Sequence, residues 1–195
     1  MLIAGRPLKR NDPRSGMAAG IGYVPDDRKK AALLLTRTIR PNLSLPWVPF
    51  GKLTHFGVLD VRAEKEMARD SCRDFAIRAP SPEFPVVQLS GGNQQKVVLA
   101  RWFALKPKIV ILAEPTRGID VGAKSEIYGF MQEMAEQGTG IIMISSEMPE
   151  LLGVADRILV MYQGQLCGEF DPKDVGEEEI AHVVCIGEMK TAGVE

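Results

Sequence analysis

The stretch that decides the fold is "QLSGGNQQKVVLARWFALKPKIVIL", residues 88–112. Ser90 and a glycine pair stand directly before an apolar run of helical composition, which ends before Pro107. The serine can cap that helix, and Gly91 and Gly92 let the backbone approach an anion without a Cβ in the way. The helix dipole adds positive potential at the same end. From these residues alone two interpretations stay open: a phosphate site, or an ordinary capped helix after a loop.

The apolar pattern further along the chain predicts a β-α-β unit. "KIVIL", residues 108–112, and "GIIMI", residues 140–144, are continuous apolar segments of the kind found in strands buried on both faces of a parallel sheet. Between them, a helix that stops at Gly138 has apolar side chains on one face: Ile127, Phe130, Met131 and Met134. Upstream, "GIGYVP", residues 20–25, predicts another short strand that runs into a turn.

A carboxylate directly after the first of these strands is the second signal for a ligand site. An acid at the carboxyl end of a buried parallel strand stands where α/β proteins bind ligands, so Glu114 is well placed to polarise a water molecule. Pro115 and Gly118 predict a sharp turn, and Asp120 can cap the helix that follows. The alternative is a simple strand-to-helix loop.

The remaining segments are predicted to be short. Pro41, Pro46 and Pro49 make residues 42–57 irregular or briefly helical, whereas residues 60–77 have helical composition. Beyond the second apolar strand we expect these elements: a short helix at 148–154, a strand at 156–162, a tight turn at 163–164 into a second strand, and an acidic tail helix with a frayed end.

Composition excludes several classes of protein. The chain has 195 residues, of which 45% are hydrophobic and 25% charged, so it can bury a core. Cys72, Cys167 and Cys185 lack the spacing of a zinc site or a disulfide framework. Apolar runs fall far short of the roughly 20 residues of a membrane span, and the N-terminus lacks a secretory apolar region. We therefore expect a cytoplasmic protein.

The charge is unevenly distributed along the chain. Residues 1–80 carry 15 Lys and Arg against 8 Asp and Glu, and residues 81–195 carry 9 against 17. The basic residues are scattered among acids rather than run together, so solvated faces are favoured over a nucleic-acid surface. We expect no nucleic-acid partner.

The order of the motifs resembles one family closely. "LSGGNQQKVVLARWFALKPKIVILAEPTRGIDVGAKSEIY" followed by "IIMISSEMPELLGVADRILVMYQGQLCGEF" is similar to the second ATP-binding cassette of ABC sugar importers of the ribose, galactose and xylose type. The block "GIGYVPDDRKKAALLLTRTIRPNLSL" agrees, and the resemblance covers residues 18–170. It implies an α/β fold, namely an incomplete P-loop NTPase (ABC cassette) core with a parallel sheet plus an α-helical signature subdomain.

The resemblance also implies a division of the chain. Residues 1–30 would be a remnant of the N-terminal part of the cassette core, ending at the Q-loop position, and residues 31–100 the helical subdomain with the signature motif. Residues 101–170 would carry the Walker B, D-loop and H-loop parts of the core, and residues 171–195 a C-terminal tail. Because the first residues resemble the part of a cassette just downstream of Walker A, we expect a truncated or split cassette.

A role follows from the resemblance for each residue of the glycine-containing motif. Ser90, Gly91 and Gly92 match the signature motif, which in ABC cassettes contacts the γ-phosphate of ATP held by the opposite cassette. Asn93 and Gln94 continue that motif. The resemblance therefore implies that these residues bind ATP in trans.

Four further residues match functional positions of the family. Glu114 matches the general base after the Walker B strand, and Asp120 the acid of the D-loop. Asp26 stands at the Q-loop position. Ser146 stands at the H-loop position, where ordinary cassettes carry a histidine. The sequence "SSE" at this position is similar to what second cassettes of this sugar-importer type commonly have.

The chain departs from the family pattern at the residues that bind the nucleotide and its Mg²⁺. A Walker A loop, G-x-x-x-x-G-K-[ST], is missing from the sequence, and the nearest decoy, "GIDVGAKS" at residues 118–125, has Ala123 in place of the second glycine. Ala113 replaces the aspartate that would hold the Mg²⁺ shell, so we predict no metal ligands here. The isolated chain is therefore expected to be inactive, and whether it acts as an ATPase with a partner stays open.

Two functional hypotheses follow from this pattern. The first is a partial ATP-binding subunit of a carbohydrate ABC importer. It would contribute its signature in trans to ATP and Mg²⁺ held mainly by a partner cassette, at the inner face of the membrane. Its partners would be that cassette, a membrane permease and, indirectly, a periplasmic sugar-binding protein. The alternative is a non-catalytic or regulatory remnant that docks on a permease or cassette without supporting turnover.

Overall fold

The computed structural model describes residues 2–3, 5–9 and 11–187, which belong to two compact units, Met1–Ile144 and Ser145–Glu195. The strands of the first unit are β1 (Leu2–Ile3), β2 (Arg6–Pro7), β3 (Ile21–Val24), β4 (Thr54–His55), β5 (Val58–Leu59), β6 (Ile109–Ala113) and β7 (Gly140–Ile144). Its α-helices are α1 (Pro13–Ala18), α2 (Ile39–Ser44), α3 (Val61–Asp74), α4 (Gly91–Phe103) and α5 (Val121–Glu136). A short π-helix, Arg28–Ala32, and two 3-10 turns, Val48–Phe50 and Val86–Gln88, complete it.

A three-stranded parallel sheet in the order β3-β6-β7 forms the centre of the first unit. In its register Ile21 lies opposite Ile109, which lies opposite Gly140. The chain reaches β6 through α4 and reaches β7 through α5, and such helical crossovers are what parallel pairing requires. The predicted β-α-β unit and the predicted strand at residues 20–25 are confirmed.

The two faces of this sheet are covered to different extents. Val24, Val110 and Leu112 are completely buried, in one apolar cluster with side chains of α4 and α5. On the opposite face Ile142 and Ile144 remain 51% and 54% exposed. The prediction that both apolar strands are buried on both faces is therefore wrong, because α4 and α5 pack on the same side of the sheet.

The helices α2, α3 and α4 contribute to the same apolar core and also enclose polar side chains. Glu64 on α3 is buried and accepts hydrogen bonds from the Arg40 guanidinium and, at 2.6 Å, from the Ser44 hydroxyl. A buried carboxylate needs such partners because an unpaired charge in the interior is costly. The predicted helix of residues 60–77 is confirmed as α3, with Asp60 as its N-cap.

A small hairpin lies where the sequence predicted irregular or briefly helical structure. Helical turns occupy part of this segment, but β4 and β5 pair across a two-residue turn. Phe56 and Gly57 adopt φ angles of 51° and 81°, as the common two-residue hairpin turn requires. The hairpin escaped prediction because each strand has only two residues and "FG" is not a usual turn pair.

The second unit is a helix and a hairpin followed by another helix. Its elements are α6 (Met148–Val154), β8 (Ile158–Tyr162), β9 (Gln165–Phe170) and α7 (Glu177–Ile186). Ile158, Val160, Ile180 and Val183 form its buried core. The short helix, the strand pair and the tail helix are confirmed, whereas the predicted frayed end at 188–195 lies outside the described residues.

Membrane-spanning helices are not found in the described part of the chain, since no helix there is long and apolar enough to cross a bilayer.

Candidate functional site

The signature turn opens α4, with Ser90 as its N-cap. The Ser90 Oγ accepts hydrogen bonds from the Asn93 backbone N–H at 3.4 Å and from the Asn93 side-chain amide at 3.0 Å. The helix begins at Gly91, so the two glycines that the pattern placed directly before the helical run lie in its first turn, after the Ser90 cap. Ser90 is exposed and Gly91 half-buried, so the turn reaches the surface. The first N–H groups of a helix have no partner inside it and point outward along its axis.

Both glycines also lie in close contact with neighbouring residues. A Cβ added at Gly92 would lie 2.7 Å from the Cβ of Ala123, at the start of α5. A Cβ added at Gly91 would lie 2.7 Å from the Nη2 of Arg28 and 3.4 Å from the carbonyl oxygen of Gly118. A larger residue at Gly92 would push α4 away from α5, whereas at Gly91 the end of the flexible Arg28 side chain would have to move. Gly92 is therefore explained by packing even before a phosphate is considered.

The side chains of the two residues after the glycines form hydrogen bonds within this chain. The Asn93 Oδ1 accepts from the Arg78 N–H at 2.8 Å. Gln94 is buried, and its Nε2 donates to the Val86 carbonyl at 3.1 Å. The Gln94 side chain is thus turned toward the interior, whereas Asn93 stays half-buried beside Ser90.

Glu114 directly follows β6 and has an unusual backbone conformation. Its φ of 48° lies in the left-handed region, which costs a non-glycine residue about 1–3 kcal/mol. The Glu114 N–H donates to the Ile144 carbonyl at 2.8 Å, and its carbonyl accepts from the Arg117 N–H at 3.2 Å. Both bonds hold the residue at the carboxyl end of the sheet, where Ala113 ends the strand without offering a metal ligand.

Asp120 lies near the signature turn, and Asp26 lies near the loop that follows Glu114. The Asp120 Oδ1 accepts from the Ala123 N–H at 3.0 Å, which confirms the predicted cap of α5. Its Oδ2 lies 4.0 Å from where a Cβ of Gly92 would be. Asp26 is exposed, and its Oδ2 lies 4.0 Å from the Nη1 of Arg117, in the loop after Glu114.

The structure therefore brings most of the predicted residues of the first unit into one neighbourhood. The signature turn, Asp120 and Asp26 all border the loop that follows Glu114. Ser146 is exposed and belongs to the second unit.

Sequence reasoning missed Arg28, which lies at the centre of this neighbourhood. Its Nη1 donates to the Arg117 carbonyl at 3.0 Å, and its Nη2 lies against Gly91. Desolvation lowers the pKa of Arg28, partly offset by the nearby Asp27 carboxylate. The available signal was its position in the "DDRK" block, two residues after Asp26.

Comparison with known proteins identifies the family to which this arrangement belongs. The ABC transporter family model matches residues 1–117, more than half of the chain. The chain belongs to the ABC transporter family. The resemblance read from the motifs is thereby confirmed.

Two relatives illustrate the match within this ABC transporter family. A ribose import ATP-binding protein of Mesorhizobium japonicum is 50% identical over 176 residues, which are 90% of this chain and 34% of that protein. A xylose import ATP-binding protein of Geobacillus kaustophilus is 47% identical over 178 residues, 91% of this chain and 35% of that protein. The chain thus spans about a third of the length of the curated relatives it matches.

Solved structures support the fold. The cbiO1 protein of Clostridium perfringens, part of an ABC transporter complex, matches with a TM-score of 0.70 and 22% identity, over 95% of this chain and 71% of that one. The ATP-binding cassette MJ1267 in its ADP conformation matches with a TM-score of 0.69 and 22% identity, over 93% and 71%. The predicted fold class, a partial ABC cassette with a parallel sheet, is confirmed.

Proposed function

We propose that this chain is a partial ATP-binding cassette of a carbohydrate ABC importer, and that it completes a nucleotide site in trans. The observation that carries the proposal is the signature turn. Ser90 and Gly91 reach the surface at a helix N-terminus, with Asp120 near Gly92 and Asp26 near Arg117 of the adjoining loop, in a sequence with no phosphate-binding loop. Such a terminus favours an anion, so it suits a phosphate that arrives bound to another polypeptide or domain.

The partner cassette would supply every strong contact with the triphosphate. Its Walker A lysine and its Mg²⁺ ligands would hold ATP, because this chain has Ala113 where the metal-binding aspartate is expected. Glu114 at the end of β6 would act as a general base toward water, and Ser146 would occupy the H-loop position. Domain closure around ATP would then move a membrane permease.

Other partners and the location follow from the relatives rather than from the chain itself. The relatives named above are import ATP-binding proteins for ribose and xylose. By analogy, this chain would work in the cytoplasm, peripherally on the inner face of the membrane, and a periplasmic sugar-binding protein would contribute indirectly. In the proposed division of the chain after residues 30, 100 and 170, the signature motif belongs to the second segment, residues 31–100.

The proposal predicts that the isolated chain binds ATP only negligibly. Titration calorimetry of the full chain with Mg-ATP should give no binding heat at micromolar concentrations, because the grip on the triphosphate is absent. A micromolar dissociation constant, equivalent to about −8 kcal/mol of binding free energy, would contradict the proposal.

A non-catalytic remnant is the second candidate, and the close packing of Gly92 against Ala123 favours it, since that packing explains this glycine without a phosphate. The two candidates differ when the chain is mixed with a complete first cassette of this importer type. If the signature supports turnover, Gly91→Asp should abolish the ATPase activity that the chain adds to the mixture. Gly129→Asp is the matched control, because a Cβ at Gly129 meets nothing within 4 Å. An equal ATPase rate with Gly91→Asp would favour the remnant.

A further inference from the structure

The guanidinium of Arg28 lies between two segments of the candidate site. Arg28 opens the π-helix Arg28–Ala32, directly after Asp27, whose side chain caps that turn. The cap fixes the backbone from which the guanidinium extends, since Asp27 accepts from the N–H groups of Lys29 and Lys30 at 3.1 and 3.0 Å. The backbone of Arg28 is therefore fixed by a capped turn.

On one side, Arg28 contacts the loop after β6. Its Nη1 donates to the Arg117 carbonyl at 3.0 Å, a contact between residues 89 positions apart in sequence. The Arg117 side chain in turn lies near Asp26, with 4.0 Å between the Arg117 Nη1 and the Asp26 Oδ2. The segment 26–28 and residue 117 are thus joined by two reciprocal contacts, of which the exposed ion pair is the weaker.

On the other side, Arg28 contacts the first turn of α4. Its Nη2 lies 2.7 Å, and its Cζ 3.7 Å, from the place where a Cβ of Gly91 would be. The guanidinium therefore occupies the space that only glycine leaves open at this position. The Gly118 carbonyl borders the same space at 3.4 Å.

We propose that Arg28 is a positioning residue that fastens the signature turn to the loop after Glu114. We call the contacts of Arg28 with Gly91 and with the Arg117 carbonyl the Arg28 clasp. The clasp fixes the distance between the signature N–H groups and the Glu114–Asp120 segment, both of which face the partner's ATP in the proposed function on which this inference rests. It adds to the family motif a residue that touches neither the nucleotide nor the water.

The chemistry of arginine suits this task. A planar guanidinium can lie flat against a glycine and donate sideways at the same time, whereas a lysine ammonium is a compact point charge. The Arg28 Nε is buried without a hydrogen-bond partner among the described residues, which is a cost that an ordinary surface arginine would avoid.

Hydrogen exchange on the full chain alone tests the clasp without any partner. Arg28→Gln should raise the exchange of amides in residues 90–94 and 117–119 by about fivefold or more and leave the rest of the chain unchanged. Lys29→Gln is the matched control, since it removes the same charge from an exposed neighbour and should change neither segment. Unchanged exchange in Arg28→Gln, or a rise spread evenly over the chain, would overturn the proposal.

Turnover with a complete first cassette tests what the clasp does. Arg28→Gln should lower the kcat of the mixture by about tenfold with an unchanged KM for ATP, because the partner grips the nucleotide. Arg28→Lys should recover part of that loss, and Lys29→Gln should behave like the unmodified chain. A wild-type kcat in Arg28→Gln would overturn the positioning role. If the unmodified chain adds no ATPase activity, the proposed function fails and the role in turnover fails with it, while the exchange result still decides the clasp.

Discussion

At the scale of single residues, Arg101 joins α4 to α2 and to the end of the π-helix Arg28–Ala32. It is buried, and its guanidinium donates to the Asn42 carbonyl at 2.8 Å, the Ala32 carbonyl at 2.6 Å and the Asn42 side-chain oxygen at 3.4 Å. Burial lowers the pKa of Arg101 to about 10. The cost of burying the Arg101 charge is thus offset by its hydrogen bonds to the Asn42 and Ala32 carbonyl groups.

Replacing Arg101 by methionine should therefore destabilise the chain. Two buried carbonyl groups lose their donor, and we expect a loss of about 2 kcal/mol in the free energy of unfolding, because the removed desolvation cost offsets part of the penalty. Urea denaturation measures the change. Arg69→Met, at an exposed position of α3, is the control and should stay within about 0.5 kcal/mol. Equal stabilities of the two variants would contradict this role of Arg101.

Cys72 gives a prediction that depends on pH. Burial raises the pKa of its thiol to about 11 from an ordinary value of 9.0, so the folded state disfavours the thiolate. The stabilising contribution of the neutral thiol is fully present below pH 9 and is lost as the pH rises toward 11. At pH 8 iodoacetamide should alkylate Cys72 about 100-fold more slowly in the native chain than in the urea-unfolded chain. Mass spectrometry that found equal rates would contradict the burial.

At the scale of elements, the approach of α4 to α5 depends on Gly92. Alanine is the better helix former by about 1 kcal/mol, yet a Cβ here would collide with the Cβ of Ala123 at 2.7 Å. We expect Gly92→Ala to destabilise the chain by about 1–3 kcal/mol, as overpacking does. Gly129→Ala, on α5 with nothing within 4 Å of its Cβ, should instead stabilise it slightly. Thermal unfolding distinguishes the two.

A double variant identifies the collision as the cause. Ala123→Gly should restore most of the stability that Gly92→Ala removes, since the colliding methyl group is gone. Additive losses in the double variant would show that the cost of Gly92→Ala has another source.

Much of this element structure was predictable from the sequence. The caps Ser90 and Asp120 were predicted because a short polar side chain before an apolar run has one local role, which does not depend on the rest of the fold. The terminal glycine of α5, Gly138, was predicted for the same reason and has a φ of 88°. Such caps can be predicted from sequence because their hydrogen bonds form within one helical turn.

Contacts between distant segments were not predictable in this way. The Arg28 clasp joins residues far apart in sequence, and no local pattern of a charged loop predicts which carbonyl a guanidinium reaches. The open face of β7 was missed because an apolar strand looks the same whether one or both of its faces are covered. The candidate site was therefore predicted from motifs, and its internal contacts were not.

At the scale of the whole molecule, the open face of the central sheet is the main consequence of the fold. Tyr23, Ile142 and Ile144 lie on it and are each more than half exposed. Parallel sheets are normally covered on both faces, and exposed apolar patches of this kind promote association. The open face therefore predicts that the chain depends on a partner or aggregates.

Lowering the hydrophobicity of this face should reduce self-association. The double variant Ile142→Thr/Ile144→Thr keeps β-branched residues in β7, so secondary structure should be unchanged while light scattering falls. Ile141→Thr is the control on the covered face, and it should destabilise the chain without improving its solubility. A purified chain that is monomeric and unfolds in one sharp transition without these changes would contradict the expected dependence on a partner.

The central claim is that this chain meets ATP only through a partner cassette. Sedimentation velocity of the full chain mixed with a complete first cassette of this importer type, with and without Mg-ATP, tests it most directly. The account predicts a heterodimer that forms only when Mg-ATP is present and is lost in Gly91→Asp. A complex that forms equally well without nucleotide, or that Gly91→Asp leaves intact, would contradict it.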